Sequence, residues 1–213
     1  FMKIRKIGNN KHIIYINKGL NTQSKNYLRK AIFFDRDGVI IKDVNYIKNE
    51  KDVSLLKGIT DLLRYSCDIG YLNIIITNQS GISRKYFSWG DYEKVTIKML
   101  EKINLPNAIS AIYANGELPN DLSNKISWRK PNPNMILEAA KDFNLDLSKS
   151  TLIGDRLSDI KSGEKAGIRN YFHVLTGHGK KEREKVVQNY SMQNDCFKLK
   201  LINDLTSIKR DDI

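Results

Sequence analysis

Asp35 and Asp37 stand two residues apart at the end of an apolar run, in AIFFDRDGVII at 31–41. Side chains two apart in an extended chain project the same way, so both carboxylates can share one site unless the turn intervenes. A carboxylate at a strand end can attack phosphorus and carry an aspartyl-phosphate, and a second beside it can protonate the leaving oxygen. Two close carboxylates repel, so one holds its proton more tightly or a cation lies between them. Gly38 permits the sharp exit that follows. The same tetrapeptide also suits a turn whose Asp residues cap a helix. Arg36, between the two, is expected to face away from the site and brace the loop.

Three further clusters carry compatible groups. TNQSG at 77–81 offers the Thr77 hydroxyl, the Asn78 amide and loop N–H groups. Together these can cradle a phosphate, or form an ordinary polar turn. WRKPNP at 128–133 brings Arg129, a bidentate donor to anions, and Lys130, a point charge for a phosphate. It also reads as a basic pair ahead of a Pro-started helix. GDRLSD at 154–159 supplies Asp155, with Asp159 as a second candidate, as hard oxygen ligands for Mg²⁺ or as a helix cap. Arg84 and Lys85 are candidates to grip a second phosphate on the substrate.

The elements that must position these groups follow a βα rhythm from residue 31. Strands are expected at AIFF (31–34), YLNIIIT (71–77), AISAIYA (108–114), STLIG (150–154) and RNYFHVL (169–175). Helical spacing separates them: Ile59, Leu62, Leu63 and Ile69 with Gly70 as the stop, then 89–103, 132–144, and 157–166 closed by Gly167. A charged helix at 180–190 and a strand with a short helix in 195–209 complete the chain. Apolar strands alternating with helices imply a parallel sheet covered on both faces, an α/β Rossmann-like three-layer sandwich with no large cap domain. In such sheets ligands sit beyond the carboxyl ends of the strands, and the four polar clusters are read as each following its own strand. Residues 115–131 lack periodicity and read as a long functional loop. Residues 1–30 read apart as an N-terminal extension, with HIIYINKG as a short strand and turn, leaving 31–213 as the main domain.

The 213 residues carry a net charge of +12, and their lysines are scattered without a basic run interleaved with aromatics. That pattern disfavours nucleic acid and suits a small, multiply anionic substrate. No apolar run approaches a membrane span, and the opening residues lack the apolar core of a secretion signal. Cys67 and Cys196 are read as reduced core thiols. The expectation is a monomeric cytoplasmic chain with no membrane partner.

Taken in order, D-x-D, a Thr, a Lys and an acidic G-D-x-x-x-D match the haloacid dehalogenase-like (HAD-like) phosphatases. The local spelling DRDGVI, NY at 45–46, TNQSGISRKYF, RKPNP, GDRLSD and VLTGHGK resembles the D-glycero-D-manno-heptose 1,7-bisphosphate 7-phosphatases, close relatives of the histidinol-phosphate phosphatases. The resemblance spans about 31–210, and Ser80 favours heptose over histidinol, where an Asp is usual. It implies a Mg²⁺-dependent phosphomonoesterase of activated-heptose and lipopolysaccharide supply, acting on a small phosphorylated sugar. It also implies Asp35 as nucleophile, Asp37 as acid/base, and Thr77, Asn78 and Lys130 around the transferring phosphate. Arg129 then reaches the substrate, and Asp155 joins Asp35 and the Asp37 carbonyl around Mg²⁺. Family members usually bind a structural zinc through C-x-H and C-x-C pairs; here Ile126 and Trp128 occupy the C-x-C positions, so no zinc is expected. Polynucleotide 3′-phosphatases share D-x-D and a similar second motif, and an idle anion-binding relative is the non-enzymatic alternative.

Overall fold

A computed structural model describes residues 2–8, 11–20, 27–119, 127–190 and 197–213. Its central sheet holds eight strands, β1 (Met2–Ile7), β2 (His12–Asn17), β3 (Ala31–Phe34), β4 (Leu72–Asn78), β5 (Ala111–Asn115), β6 (Thr151–Gly154), β7 (Asn170–His173) and β8 (Lys198–Leu201). Their spatial order is β1-β2-β5-β4-β3-β6-β7-β8. From β5 to β8 all neighbours are parallel. The N-terminal segment adds an antiparallel hairpin, with β2 paired to β5 and β1 outermost. The parallel sheet read from the sequence is therefore extended by two antiparallel strands at one edge.

Among the described residues five α-helices cover the sheet: α1 (Ile59–Asp68), α2 (Trp89–Ile103), α3 (Asn134–Phe143), α4 (Leu157–Ala166) and α5 (Gly179–Asn189). Strand alternation sorts the core into two layers. Ile32 and Phe34 of β3 face the side of α1 and α2, with Leu63, Tyr92 and Met99. Ala31 and Phe33 face α3, α4 and α5, with Met135, Phe143, Ile160 and Val186. β3 is buried along its whole length because helices cover both of its faces.

The two expected glycine stops hold, and α2 gains a cap that was not expected. Gly70 adopts φ +79° and ends α1, and Gly167 at φ +92° ends α4. Ser88 and Asp91 form a reciprocal cap on α2, with Asp91 N–H donating to Ser88 Oγ and Ser88 N–H to Asp91 Oδ2. Cys67 departs from expectation. It lies exposed on α1 rather than in the core, because Ile59, Leu62, Leu63 and Ser66 form the buried face of that helix. Cys196 lies outside the described residues, as does the 120–126 part of the long loop.

β1 is the outer strand of the sheet, and Lys3, Ile4, Arg5 and Lys6 are exposed along it. Arg5 anchors it by ion pairs to Glu138 (3.1 Å) and Asp142 (2.6 Å) of α3. β8, at the opposite edge, carries exposed Lys198 and Lys200.

Candidate active site

The chain leaves β3 at Asp35, runs outward through β4 to β5, and returns to β6 on the other side of β3. That reversal opens a crevice at the carboxyl ends of the strands. A cleft of about 400 Å³ lies there, lined by Asp35, Asp37, Asn78, Arg129, Lys130 and Arg156 among others.

Asp35 is 7% exposed. Its Oδ1 accepts from the Arg36 N–H (2.7 Å) and lies 3.1 Å from Lys130 Nζ. Burial raises its pKa to about 7, opposed by Lys130 and reinforced by the charges of Asp159 and Asp37. Asp37 also reaches the cleft, so the turn keeps both carboxylates in one site. It is held from two directions. Arg36 donates to both of its oxygens through Nε and Nη2, and Gln79 Nε2 donates to its Oδ2 at 2.7 Å. Arg36 itself lies outside the cleft lining and braces the loop by holding its neighbour Asp37. Its guanidinium is wholly buried and lies 4.8 Å from the Tyr92 ring centroid.

Lys130 Nζ donates to the Ile76 carbonyl (3.0 Å) and pairs with Asp159 (2.6 Å) as well as Asp35. Its backbone is fixed separately: Lys130 N–H donates to Asn78 Oδ1, and Asn78 Nδ2 donates to the Lys130 carbonyl. Asn78 thus couples the end of β4 to the Lys130 loop. Thr77 is buried, and its Oγ1 accepts from Gln79 Nε2 at 2.8 Å.

Asp155 follows β6 and is fully buried. Its Oδ2 accepts from His178 N–H at 2.6 Å, while Oδ1 has no hydrogen-bond partner. Burial, then the charges of Asp35 and Asp159, push its pKa up to about 8. Oxygens of Asp35, Asp155 and Asp159 lie within 4.8 Å of one another. Three buried carboxylates, one with an unpartnered oxygen, form a donor set suited to a hard divalent cation. Asp159 caps α4, with its Oδ2 accepting from Arg156 N–H at 2.9 Å. It is both helix cap and member of the acidic cluster, so the two readings of this residue are compatible.

Asp155 is seated by close backbone packing. Gly38 (φ +87°) and Gly177 (φ +57°) face each other across it. A Cβ on Gly38 would lie 2.5 Å from Asp155 Oδ2, and one on Gly177 would lie 2.6 Å from Gly38 Cα and closer still to Asp155 Oδ2. Gly177→Ala is therefore expected to cost about 1–3 kcal/mol of stability and to weaken any divalent cation held by the acidic cluster about 10- to 100-fold. Thermal melts with increasing Mg²⁺ would show both, and an unchanged Mg²⁺ dependence would refute the second.

Two guanidinium groups stand at the cleft mouth, with a third nearby. Arg129 and Arg156 line it, whereas Arg84 is exposed and lies outside the lining, as does Lys85. Burial and the nearby charges of Arg156 and Arg84 hold the Arg129 pKa below the usual arginine range. Arg129 Nη1 donates to the Glu117 carbonyl at 3.1 Å. Asp43 faces His178 (2.9 Å) and Arg156 (3.9 Å) across the opening. His173 ends β7 and is buried behind Asp155, its Nδ1 accepting from Arg183 and its Nε2 set against the Asp155 carbonyl. Burial and Arg183 keep its pKa low, which matches a neutral ring donating through Nε2.

The sequence reading gave no role to Gln79, Asp43 or Arg156. Gln79 and Arg156 lay inside quoted motifs and could have been flagged by position. Asp43 had no signal beyond its nearness to the first motif.

A family model for HAD-hydrolase-like proteins matches residues 127–195. The D-glycero-alpha-D-manno-heptose-1,7-bisphosphate 7-phosphatase of Photorhabdus laumondii is 38% identical over 179 residues, covering 79% of this chain and 93% of that one. The D-glycero-beta-D-manno-heptose-1,7-bisphosphate 7-phosphatase of Helicobacter pylori is 38% identical over 143 residues, covering 66% of this chain and 81% of that one. Among solved structures, the D,D-heptose 1,7-bisphosphate phosphatase of B. bronchiseptica, complexed with magnesium and phosphate, superposes with a TM-score of 0.71 at 25% identity. That match covers 84% of this chain and 94% of the other.

Proposed function

The chain belongs to the HAD-like phosphatases, within the heptose-1,7-bisphosphate 7-phosphatase family, and on that premise we propose that it removes the 7-phosphate of D-glycero-D-manno-heptose 1,7-bisphosphate with the help of Mg²⁺. One observation carries the reading. The cleft joins a buried carboxylate, an adjacent second carboxylate and a lysine with a rim of arginines, and the buried carboxylate is shared with an acidic cluster able to hold a metal ion. A substrate with two phosphates needs both halves, one phosphate at Asp35 and a second anionic group at the mouth.

In the mechanism, Asp35 attacks phosphorus and becomes the aspartyl-phosphate. Its bonds to Lys130 and Arg36 both fall on Oδ1 and fix the carboxylate plane. Lys130 neutralises the equatorial oxygens in a dry setting, where a fixed charge is worth more than in water. Asp37, oriented by Arg36 and Gln79, protonates the departing sugar oxygen and then takes a proton from the water that cleaves the intermediate. Asn78 acts by holding the Lys130 backbone, and Thr77 by holding Gln79. Asp35, Asp155 and Asp159, with the Asp37 carbonyl, would hold Mg²⁺, which when bound supplies positive charge against the phosphate and relieves the repulsion among these carboxylates. Arg129, with Arg84 and Arg156 near it, grips the second anionic group.

No described helix is long and apolar enough to cross a membrane. We place the protein in the cytoplasm as a monomer, in the supply of activated heptose for lipopolysaccharide. Phosphate release from heptose 1,7-bisphosphate, histidinol phosphate and a 3′-phosphorylated oligonucleotide, each with Mg²⁺ and with EDTA, tests this. The bisphosphate should be preferred by about 10²-fold or more in kcat/KM, since a second bound anion contributes at least one charge-assisted contact. EDTA should abolish release. Preference for another substrate would transfer the reaction to it, and no release from any would leave an anion-binding protein.

A further inference from the structure

His12 opens β2, in register with Asn115 at the end of β5. Its ring stacks on Trp128 with centroids 4.8 Å apart and planes 13° from parallel. Both are nearly buried, at 6% and 8% exposure. Trp128 stands where the resemblance puts a zinc cysteine, so something other than a metal must order the segment before Lys130. Glu117 completes the contact. Its Oε2 accepts from the Ser127 hydroxyl (2.5 Å) and Trp128 N–H (3.1 Å), and its Oε1 lies 3.9 Å from His12 Nε2. Gly116 N–H donates to the Lys11 carbonyl at 2.8 Å, tying the hairpin backbone to the same segment.

These contacts reach Arg129 more directly than Lys130. Arg129 is held by Ser127 Oγ, which accepts its N–H, and by the Glu117 carbonyl, which accepts from Nη1. Both partners belong to the His12–Trp128–Glu117 cluster. Lys130 has its own anchors in Asn78, Ile76, Asp35 and Asp159.

We propose that the N-terminal hairpin is the clamp of the substrate-binding rim, with His12 as a positioning residue for Arg129 acting through the Trp128 stack. The proposal rests on the reading above that Arg129 holds the second anionic group of the substrate. Loosening the clamp then displaces Arg129 while Lys130 stays in place, so substrate binding suffers and the chemical step does not.

The experiment pairs kinetics with fluorescence in the Mg²⁺-loaded full chain. His12→Ala should raise KM for heptose 1,7-bisphosphate about 3- to 10-fold, the equivalent of one aromatic pair, with kcat changed less than about 2-fold. KM for p-nitrophenyl phosphate, which has no second anionic group, should not move. In a Trp89→Phe background the remaining Trp128 should become about 3-fold more open to acrylamide quenching, as expected when an aromatic cover is lost. His12→Phe, which keeps a flat ring in that place, should restore both readouts. Unaltered quenching in His12→Ala, equal losses on both substrates, a fall in kcat with unmoved KM, or failure of His12→Phe to restore would each overturn the clamp. If the wild-type chain releases no phosphate from the bisphosphate, the proposed function fails, while the quenching of the His12 variants still decides the clamp.

Discussion

Asp35→Asn should lower kcat on the order of 10³-fold or more while leaving the metal-free fold as stable as before, or more so. The activity loss follows from removing the nucleophile, since no other described carboxylate has the same place at the end of β3. The stability gain follows from electrostatics. Burial and two neighbouring acids raise the Asp35 pKa to about 7, against Lys130, so its charge is unfavourable in the absence of a cation. An amide keeps the Oδ1 acceptor for Lys130 and Arg36 and relieves the repulsion on Asp155. A carboxyl whose folded pKa exceeds its unfolded value costs stability as pH rises from the ordinary Asp range through about 7. The gain should therefore be larger at pH 8 than at pH 5. Single-turnover phosphate release and urea melts at both pH values measure the two effects. Retained wild-type turnover would dismiss Asp35 as nucleophile.

Lys130→Met should have the larger effect on the fold. Lys130 is 3% exposed, and its ammonium lies among the Asp35 and Asp159 carboxylates and the Ile76 carbonyl. Removing it strands buried charge, which typically costs about 3–5 kcal/mol. The loss should depend on pH. Without Lys130 the Asp35 pKa climbs further, because Lys130 is the main influence lowering it. The folded variant then binds more protons than the unfolded chain near neutrality, so its stability falls as pH rises. About half of the deficit should disappear between pH 8 and pH 5 as the carboxyls protonate. Mg²⁺ should stabilise the variant more than the wild type, since a cation now meets three carboxylates without an ammonium among them. Denaturant midpoints at the two pH values, with and without Mg²⁺, test this. A pH-independent loss would mean that packing, not charge, holds the cluster.

The site was legible to the extent that its chemistry is local. Asp35 and Asp37 follow an apolar tetrapeptide, Asp155 follows the strand at 151–154, and Gly70 and Gly167 mark helix ends by their own backbone chemistry. Contacts across the chain were not legible. Nothing in residues 1–30 signalled that His12 would meet Trp128, because that pairing exists only once β2 docks on β5. Arg36 was legible as a brace outside the cleft, but its partner was not, because alternation ends where the strand does and beyond Phe34 the chain turns enough for the guanidinium to fold back on Asp37. β1 went unassigned since MKIRKI alternates charge with Ile on an open edge, where no continuous apolar run is needed.

That outermost strand has a consequence for solubility. β2, immediately inside it, is HIIYIN and almost wholly buried. Such a segment, β-prone and uncharged, templates pairing with other chains when its edge is bare. Lys3, Arg5 and Lys6 on β1, matched by Lys198 and Lys200 on β8, place positive charge on both rims of the sheet. The basic residues on these two rims thus act in part as gatekeepers against intermolecular strand addition, and trimming β1 would lay a β-prone, uncharged hexapeptide bare at the edge of the sheet.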